Sequence, residues 1–253
     1  MSMQYRVDLN CDMGEGIAAD ASIMPYVTSA NIACGAHAGD ASTMRATLLL
    51  AAQHHVAAGA HPGYPDRAGF GRQRMDMTAR EVYDTVASQI DKLRGLARDA
   101  DVPLMHVKPH GALYNDAATE QPVARAVVRA MYDVDPDLML YGLAGSMLIH
   151  EAERLGVRAV PEAFVDRTYE QDGTLTSRGE EGAVIEDAAA AAAQAMRIVT
   201  ARVVRCRNGS QISVRAETLC IHGDNARALL IARETRRVLK SAGVQVVAPS
   251  ATP

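Results

Sequence analysis

Short apolar runs alternate with segments of helical periodicity from one end of the chain to the other. The runs are typical of buried strands, and they lie at residues 5–10, 30–34, 56–60, 102–107, 138–143, 157–161, 218–222 and 244–247. Between them, apolar side chains recur at helical spacing. One such segment follows Thr78 and Glu81, which together carry the signature of a capping box. This alternation predicts an α/β protein.

Two segments depart from the alternation. Residues 203–214 form two arms around Asn208-Gly209, a dipeptide that favours the tight turn of a β-hairpin. Residues 169–182 are polar and predict a long loop, which is a candidate lid. We predict one domain over residues 1–253, a single (β/α) barrel into which the hairpin is inserted near the C-terminal end.

Polar residues at the ends of nearly all the strands favour a barrel over an open doubly wound sheet. In a barrel these ends converge on one face, whereas an open sheet needs polar groups only at its switch point. The converging residues are Asp8, Asn10, Asp12, Glu15, His37, His61, Lys108, His110, Glu162, Asp166, Arg167, His222 and Asp224.

One strand end concentrates these groups. Side chains alternate between the two faces of a strand, so His106, Lys108 and His110 share one side. Three ionisable groups on one face cannot lie in an apolar core without compensation. Pro109 and Gly111 then end the strand, which places the polar groups at the edge of a site.

Three kinds of chemistry are open to this cluster. Asp12, His61 and His110 each end a different strand and would hold a divalent metal in a hydrolytic centre. Metal-free acid–base catalysis by Asp and His, with Lys108 stabilising an oxyanion, is the second. The third is binding of a carboxylate or phosphate by basic side chains. These are Arg72, Arg74, Lys108 and Arg167.

Several of these residues also have a purely structural interpretation. Asp40 and Asp224 fit a helix cap as well as a site. Cys11 alternates against its polar neighbours and is predicted to pack as a small hydrophobe. Cys220 shares the parity of His222, but packing is again the favoured interpretation. Polar residues recur at the ends of six strands, and this recurrence favours one common site over separate structural roles.

Composition excludes several classes of protein. The chain has 253 residues, of which 48% are hydrophobic, and a net charge of -4, which argues against a nucleic-acid surface. No apolar stretch is long enough for a membrane span, and the start lacks a signal-peptide core. The four cysteines lack CxxC spacing, so we expect a cytoplasmic protein with reduced thiols. P-loop and GxSxG motifs are absent, and the glycines at residues 69 and 71 lack the third glycine of a dinucleotide fingerprint.

Specific motifs occur in order along nearly the whole chain. They are residues 8–15, 30–35, 37–40, 59–66, 69–72, 106–114, 162–164, 166–167 and 222–224, with Arg178 and residues 182–185. In these motifs the chain resembles the LamB/YcsF family. The resemblance implies the A subunit of a bacterial ATP-dependent 5-oxoprolinase. It implies a distorted (β/α) barrel similar to those of glycoside hydrolases and polysaccharide deacetylases.

The resemblance also implies an activity, partners and a cofactor. The reaction would be ATP-dependent hydrolysis of the lactam of 5-oxo-L-proline to L-glutamate, in a complex with two other 5-oxoprolinase subunits, B and C. ATP would be bound by the partner subunits or shared with them, and the use of a divalent metal is left open. Neither nucleic acid nor a membrane is expected as a partner.

The candidate roles follow from this reaction. The catalytic candidates are Asp8, Asn10, Asp12, Glu15, His61, Lys108 and His110, and the substrate-binding candidates are His37, Arg72, Glu162, Asp166, Arg167, His222 and Asp224. Asp8 or Asp12 would align and deprotonate a water, with His61, while Lys108 and His110 stabilise the charged intermediate. Arg72 or Arg167 would hold the substrate carboxylate.

Two rival functions use the same residues. A metal-dependent amide hydrolase of the deacetylase type would hold its ion on Asp12, His61 and His110. A non-catalytic binding subunit would deliver the substrate to partners that do the chemistry. The acidic strand ends disfavour pure binding, since a carboxylate substrate would select basic residues.

Overall fold

Parallel strands follow one another around a closed ring. The computed structural model describes residues 5–250. Its strands are β1 (Arg6–Met13), β2 (Ser29–Ala33), β3 (Ala57–His61), β4 (Leu104–Val107), β5 (Met139–Leu143), β6 (Ala159–Phe164), β7 (Val203–Arg205), β8 (Gln211–Ser213), β9 (Thr218–Ile221) and β10 (Gln245–Val246). Strands β1 to β6 pair in order, and β9 pairs with both β6 and β1, which closes a ring of seven parallel strands. The predicted barrel is confirmed.

Helices connect the strands. They are α1 (Asp20–Ile23), α2 (Ala41–Gln53), α3 (Ala79–Asp99), α4 (Gly111–Thr119), α5 (Gln121–Val134), α6 (Met147–Leu155), α7 (Ala188–Met196) and α8 (Ala228–Ser241). The capping box predicted at Thr78 and Glu81 begins α3, and Asp40 caps α2 through the backbone N–H of Thr43. Across residues 5–250, no helix combines the length and the apolar character that a membrane crossing requires.

The strand that contains Pro161 extends further than the sequence predicts. The sequence predicts this strand over residues 157–161. Strand β6 nevertheless runs on to Phe164, with Pro161 opposite Gly142 of β5. The Pro161 carbonyl accepts a hydrogen bond from the backbone N–H of Glu217, so the residue still serves the sheet as an acceptor.

The predicted hairpin is confirmed and is tied to the predicted loop. Strands β7 and β8 are antiparallel on either side of the Asn208-Gly209 turn. The backbone N–H of Arg207 in this turn donates to the carbonyl of Tyr169 over 2.9 Å, and its guanidinium lies 3.2 Å from Glu180. The hairpin therefore braces residues 169–182.

The barrel wall separates apolar and polar side chains by strand parity. Along β1, Leu9 and Cys11 pack into a buried apolar cluster that extends from Val7 to Val246, as predicted for Cys11. The alternate residues of β1 point inward and are buried and hydrogen-bonded. A single domain over residues 1–253 stays a prediction, since residues 1–4 and 251–253 lie outside the described range.

A hydrogen-bonded network fills the barrel interior around Asp8, near the N-terminal end of β1. The Asp8 carboxylate accepts hydrogen bonds from the hydroxyls of Thr28 (2.6 Å), Ser29 (2.9 Å) and Thr218 (2.6 Å). Burial still raises the pKa of Asp8, although these hydroxyls oppose the shift. Buried polar groups need such partners, because leaving them unpaired costs about 1–3 kcal/mol each.

Gly59 of β3 makes room for one member of this network. The imidazole of His106 stacks on Tyr141, with ring centroids 4.0 Å apart, and its Nε2 lies 2.8 Å from Asn31 Oδ1. A Cβ atom on Gly59 would overlap the imidazole of His106. The ring is held on its other sides, so it cannot move away at low cost.

We expect Gly59→Ala to lower the free energy of unfolding by about 1–3 kcal/mol through this overlap. Gly95→Ala is the matched control, because Gly95 lies within α3 and a Cβ there has no neighbour within 4 Å. The control should gain about 0.5–1 kcal/mol from helix propensity. Urea unfolding of both variants checks this, and a Gly59→Ala chain at least as stable as the unchanged one would contradict it.

Candidate active site

A cavity of about 520 Å³ opens where the barrel strands end. Pockets of about 300–1,000 Å³ are typical of small-molecule sites. The predicted residues that line it are Asp12, His61, Arg72, Lys108, His110, Arg167 and His222. Residues 174–179 of the long loop line another part of the wall. The position of this loop over the strand ends is that expected of a lid.

Lys108 lies in the cavity wall with its ammonium group between two carboxylates. Its Nζ is 3.0 Å from Asp12 Oδ1 and 3.0 Å from Glu162 Oε1, and it donates to Asn10 Oδ1 and Cys220 Sγ. Burial alone would lower the pKa of Lys108, but Asp12, Cys220 and Glu162 raise it well above its usual value. A fixed cation therefore faces the cavity.

Asp12 supplies the negative charge beside it. Its Oδ1 accepts hydrogen bonds from Lys108 and from the amide of Asn31, while its Oδ2 lies 3.5 Å from His61 Nε2. Burial opposes ionisation, yet the neighbouring His61 and the Lys108 ammonium group hold the pKa of Asp12 well below its usual value. At neutral pH the residue is a carboxylate that can align a water in the cavity.

Three histidines and one carboxylate meet on one side of Asp12. His61 Nε2 lies 2.9 Å from His110 Nδ1, and His37 stacks on His110 with centroids 3.8 Å apart. Glu15 Oε1 is 3.4 Å from His110 Nδ1 and 3.5 Å from His37 Nε2. Burial lowers the pKa of His37 to about 3, and burial together with neighbouring carboxylates raises the pKa of Glu15 to about 9.

An Asp–His pair lies close to Asp12, since the His222 ring comes within 4.8 Å of the Asp12 carboxylate. His222 Nδ1 is 2.9 Å from Asp166 Oδ1, and the His222 backbone N–H donates to Asp166 Oδ2 over 3.0 Å. Burial opposes ionisation of Asp166, but His222 holds the pKa of this carboxyl below its usual value. The pair fixes the orientation of an imidazole that lines the cavity, which is the arrangement of an oriented proton carrier.

Arginines form the outer rim. Arg72 pairs with Asp224, and Arg178 lies 3.5 Å from the same carboxylate. Arg167 is more deeply buried and donates to the backbone carbonyls of Thr176 and Ala183. Arg72, Arg167 and Arg178 all line the cavity, so the rim can receive an anionic group.

The remaining predicted site residues stand behind the cavity wall rather than in it. They are Asp8, Asn10, Glu15, His37, Glu162, Asp166 and Asp224. Asp8 is the deepest on β1 and is occupied by hydroxyl donors. Glu162 is fully buried and supports Lys108, while Asp224 pairs with the rim arginines. These residues hold the side chains of the cavity wall in position.

The sequence profile of the LamB/YcsF family matches residues 7–252. This chain belongs to the LamB/YcsF family. The LamB/YcsF match covers the barrel strands, the hairpin and every cavity residue named above, so the resemblance seen in separate motifs extends over the whole fold.

Individual proteins similar to this LamB/YcsF chain include a curated relative and two solved structures. The 5-oxoprolinase A subunit of Bacillus subtilis (strain 168) is 49% identical over 251 residues, which cover 97% of this chain and 98% of the relative. The crystal structure of a lactam utilization protein from Thermus thermophilus is 43% identical with a TM-score of 0.89, covering 96% and 100% of the two chains. A structure of T48 deacetylase with substrate has a TM-score of 0.52 at 12% identity, covering 97% and 89% of the two chains, and shares the fold.

Three residues of this LamB/YcsF cavity region were not predicted as site residues. Tyr114 donates from its hydroxyl to Glu162 Oε2 over 2.7 Å, and Asn31 donates to Asp12. Arg178 reaches the rim from the long loop. Asn31 could have been predicted from the sequence, because it is a polar residue in an apolar strand. Tyr114 and Arg178 lie on a helix and a loop, where strand parity gives no guidance.

The glycine-rich loop does not form a phosphate cradle. The backbone N–H of Gly69 donates to Asp66 Oδ1, that of Gly71 to the Asp66 carbonyl, and that of Arg72 to the Gly69 carbonyl. A cradle needs amide groups that are free to face phosphate oxygens. These three amides of the LamB/YcsF chain are satisfied within their own loop.

Proposed function

We propose that this chain acts as the A subunit of a 5-oxoprolinase, which hydrolyses the lactam of 5-oxo-L-proline to L-glutamate at the expense of ATP. The observation that carries the proposal is the 49% identity to a 5-oxoprolinase A subunit over nearly the full length of both chains. The cavity supports it, because it presents a carboxylate, a buried ammonium group and a basic rim to a small anionic molecule.

The chemistry gives these groups their roles. A lactam amide is a poor electrophile, and phosphorylation of its oxygen by ATP would activate the ring carbon so that water adds there. Cleavage of the C–N bond would then leave an acyl phosphate, and its hydrolysis by a second water would release L-glutamate and phosphate.

Asp12, positioned beside His61, would align the water that adds to the ring carbon and accept its proton. Asp8 is too deep for this role. Lys108 would stabilise the negative charge that develops, since a fixed charge in a dry cavity acts strongly on a transition state. His110, whose Nε2 is held by the Phe70 carbonyl, would shape the cavity wall beside it.

We assign His222 the role of proton donor to the nitrogen that leaves when the lactam ring opens. Ring opening requires a proton on that nitrogen, and His222 lines the cavity with its Nδ1 held by Asp166. The pairing leaves Nε2 as the nitrogen that can exchange a proton with the substrate.

The rim arginines are assigned to the substrate carboxylate. We expect Arg178→Ala to raise KM for 5-oxoproline by about 10–100-fold with a smaller change in kcat, because a charge-assisted hydrogen bond contributes about 1.5–3 kcal/mol. Arg205→Ala is the control, since Arg205 is exposed on β7, outside the cavity lining. Steady-state kinetics of the full complex checks this, and equal effects of both substitutions would contradict it.

ATP and the other subunits complete the proposal. The glycine-rich loop has its amides occupied, so we place ATP on subunits B and C or at their interface with this chain. The four cysteines are buried and free, which suits a complex in the reducing cytoplasm.

The deacetylase-type alternative has less support from the geometry. Its ion would lie on Asp12, His61 and His110, but Asp12 Oδ1 is already held by Lys108 and Asn31. An ammonium group at this distance from a ligand carboxylate competes with a divalent cation.

The test is glutamate release from 5-oxoproline and ATP. We expect no release by this chain alone or by B and C alone, and release when all three are mixed. Undiminished release by B and C without this chain would contradict the proposal and favour a non-catalytic, substrate-delivering role.

A further inference from the structure

Two imidazole nitrogens, His61 Nε2 and His110 Nδ1, face each other at 2.9 Å. His61 Nδ1 lies 2.7 Å from the Lys108 carbonyl oxygen, and His110 Nε2 lies 2.9 Å from the Phe70 carbonyl oxygen. A carbonyl oxygen can only accept, so each of these nitrogens carries the ring proton. When both rings are neutral, as metal binding requires, the inner nitrogens His61 Nε2 and His110 Nδ1 present lone pairs to each other at 2.9 Å.

The atoms around this contact are also unpartnered. Glu15 Oε1 and both ring nitrogens of His37 are buried and make no hydrogen bond within the described part of the chain. The Glu15 side chain is only 2% exposed and that of His37 is 0% exposed. Buried polar atoms that face one another without partners call for a ligand between them.

The spacing of these atoms fits a four-coordinate metal. Bonds of about 2.0–2.1 Å in a tetrahedral site place neighbouring ligand atoms about 3.3 Å apart. Glu15 Oε1 lies 3.4 Å from His110 Nδ1, 3.5 Å from His37 Nε2 and 4.0 Å from His61 Nε2. The ligand atoms of all four residues lie within 4.8 Å of one another.

We propose that Glu15, His37, His61 and His110 bind one divalent transition metal of the zinc class. Three imidazoles and one carboxylate form a donor set that suits zinc. The carbonyl groups that hold His61 and His110 are the outer partners that metal-bound histidines usually have.

This site differs from the metal set predicted from the sequence. Asp12 Oδ2 lies 3.5 Å from His61 Nε2, but Asp12 Oδ1 is held by Lys108 and Asn31, and the carboxylate grouped with the three histidines is that of Glu15. Four protein ligands leave no open position, which is the mark of a structural site. The metal would therefore hold His61 and His110 in the cavity wall, and the inference stands independently of the proposed lactam hydrolysis.

The test uses the full chain without substrate. The chelator-treated protein is titrated with Co²⁺ and its visible absorption is recorded. We expect one Co²⁺ per chain, the intense bands of four-coordinate cobalt, and displacement by one equivalent of Zn²⁺. Zn²⁺ should also raise the thermal unfolding temperature, because it binds only the folded chain.

Matched variants identify the ligands. His37→Asn and Glu15→Gln should each weaken Co²⁺ binding by at least about 100-fold, more than loss of an outer partner does. His55→Asn is the control, since His55 is exposed with a φ of 56° that asparagine tolerates. Asp12→Asn should keep the cobalt bands.

Three outcomes would overturn the inference. They are absence of stoichiometric binding by the unchanged chain, loss of binding in Asp12→Asn but not in Glu15→Gln, and equal binding by the His37→Asn and His55→Asn chains. The use of two ligand variants with circular dichroism separates loss of the site from loss of the fold.

Discussion

Lys108→Met is expected to lower kcat for ATP-dependent glutamate release by about 10³-fold, with the full complex assembled. Removal of one preorganised donor to a developing oxyanion typically costs about 10²–10³-fold. Lys108 also carries the positive charge that keeps Asp12 ionised, so its loss removes two contributions at once.

The same substitution should destabilise the chain. Methionine fills the space of the lysine stem but leaves Asp12 and Glu162 as buried carboxylates without their shared cation. Breaking a buried ion pair from one side costs about 3–5 kcal/mol. The double variant Lys108→Met, Glu162→Gln removes one of the stranded charges and should regain part of that stability without regaining activity.

These two readouts separate folding from chemistry. Urea unfolding gives the stability, and kcat is measured at a temperature where each variant remains folded. Lys240→Met, on the exposed side of α8, is the control and should behave like the unchanged chain. A folded Lys108→Met chain with kcat within tenfold of the unchanged chain would rule out the role given to Lys108.

Asp12→Asn should lower kcat by about 10²–10⁴-fold, the usual contribution of a positioned general base. Asparagine can still accept a hydrogen bond from Lys108, so the shape of the site is preserved while its ability to take a proton is lost. KM should change little, because Asp12 is not assigned to the substrate carboxylate.

Asp8→Asn is the informative comparison for Asp12. The two residues lie on the same face of β1, but only Asp12 lines the cavity. Asp8→Asn should lower the free energy of unfolding, since its three hydroxyl donors lose a charged acceptor, and it should leave kcat close to that of the unchanged chain. Comparable losses of kcat in both variants would show that Asp8, not Asp12, handles the proton.

Strand parity explains how much of the site could be predicted. It predicts that Asp12, His61, Lys108, His110 and His222 face the same end of the barrel, because alternate side chains of parallel strands point to the same side, and all five line the cavity. Parity does not show how far along the barrel axis a side chain lies. Asp8 was grouped with Asp12 because both face inward, although Asp8 lies four residues before Asp12 on β1 and does not line the cavity.

Contacts between distant segments could not be predicted from the sequence for another reason. Tyr114 meets Glu162 and Arg178 meets Asp224 only because helix α4 and the long loop cross the strand ends. Local periodicity carries no information about such crossings. The end of β6 was missed for a related reason, since the acceptor role of Pro161 depends on Glu217, which belongs to a distant part of the chain.

The position of β1 has a consequence for synthesis on the ribosome. Its neighbours in the closed ring are β2, which follows at once, and β9, whose Thr218 lies 210 residues after Asp8. Until β9 emerges, β1 and β6 are open edges of an incomplete sheet, and the inward carboxylates remain in water. Such long-range closure is slow and leaves exposed edges that favour aggregation. A nascent chain halted before Thr218 is therefore a natural client for chaperones, because the ring can close only once β9 is available.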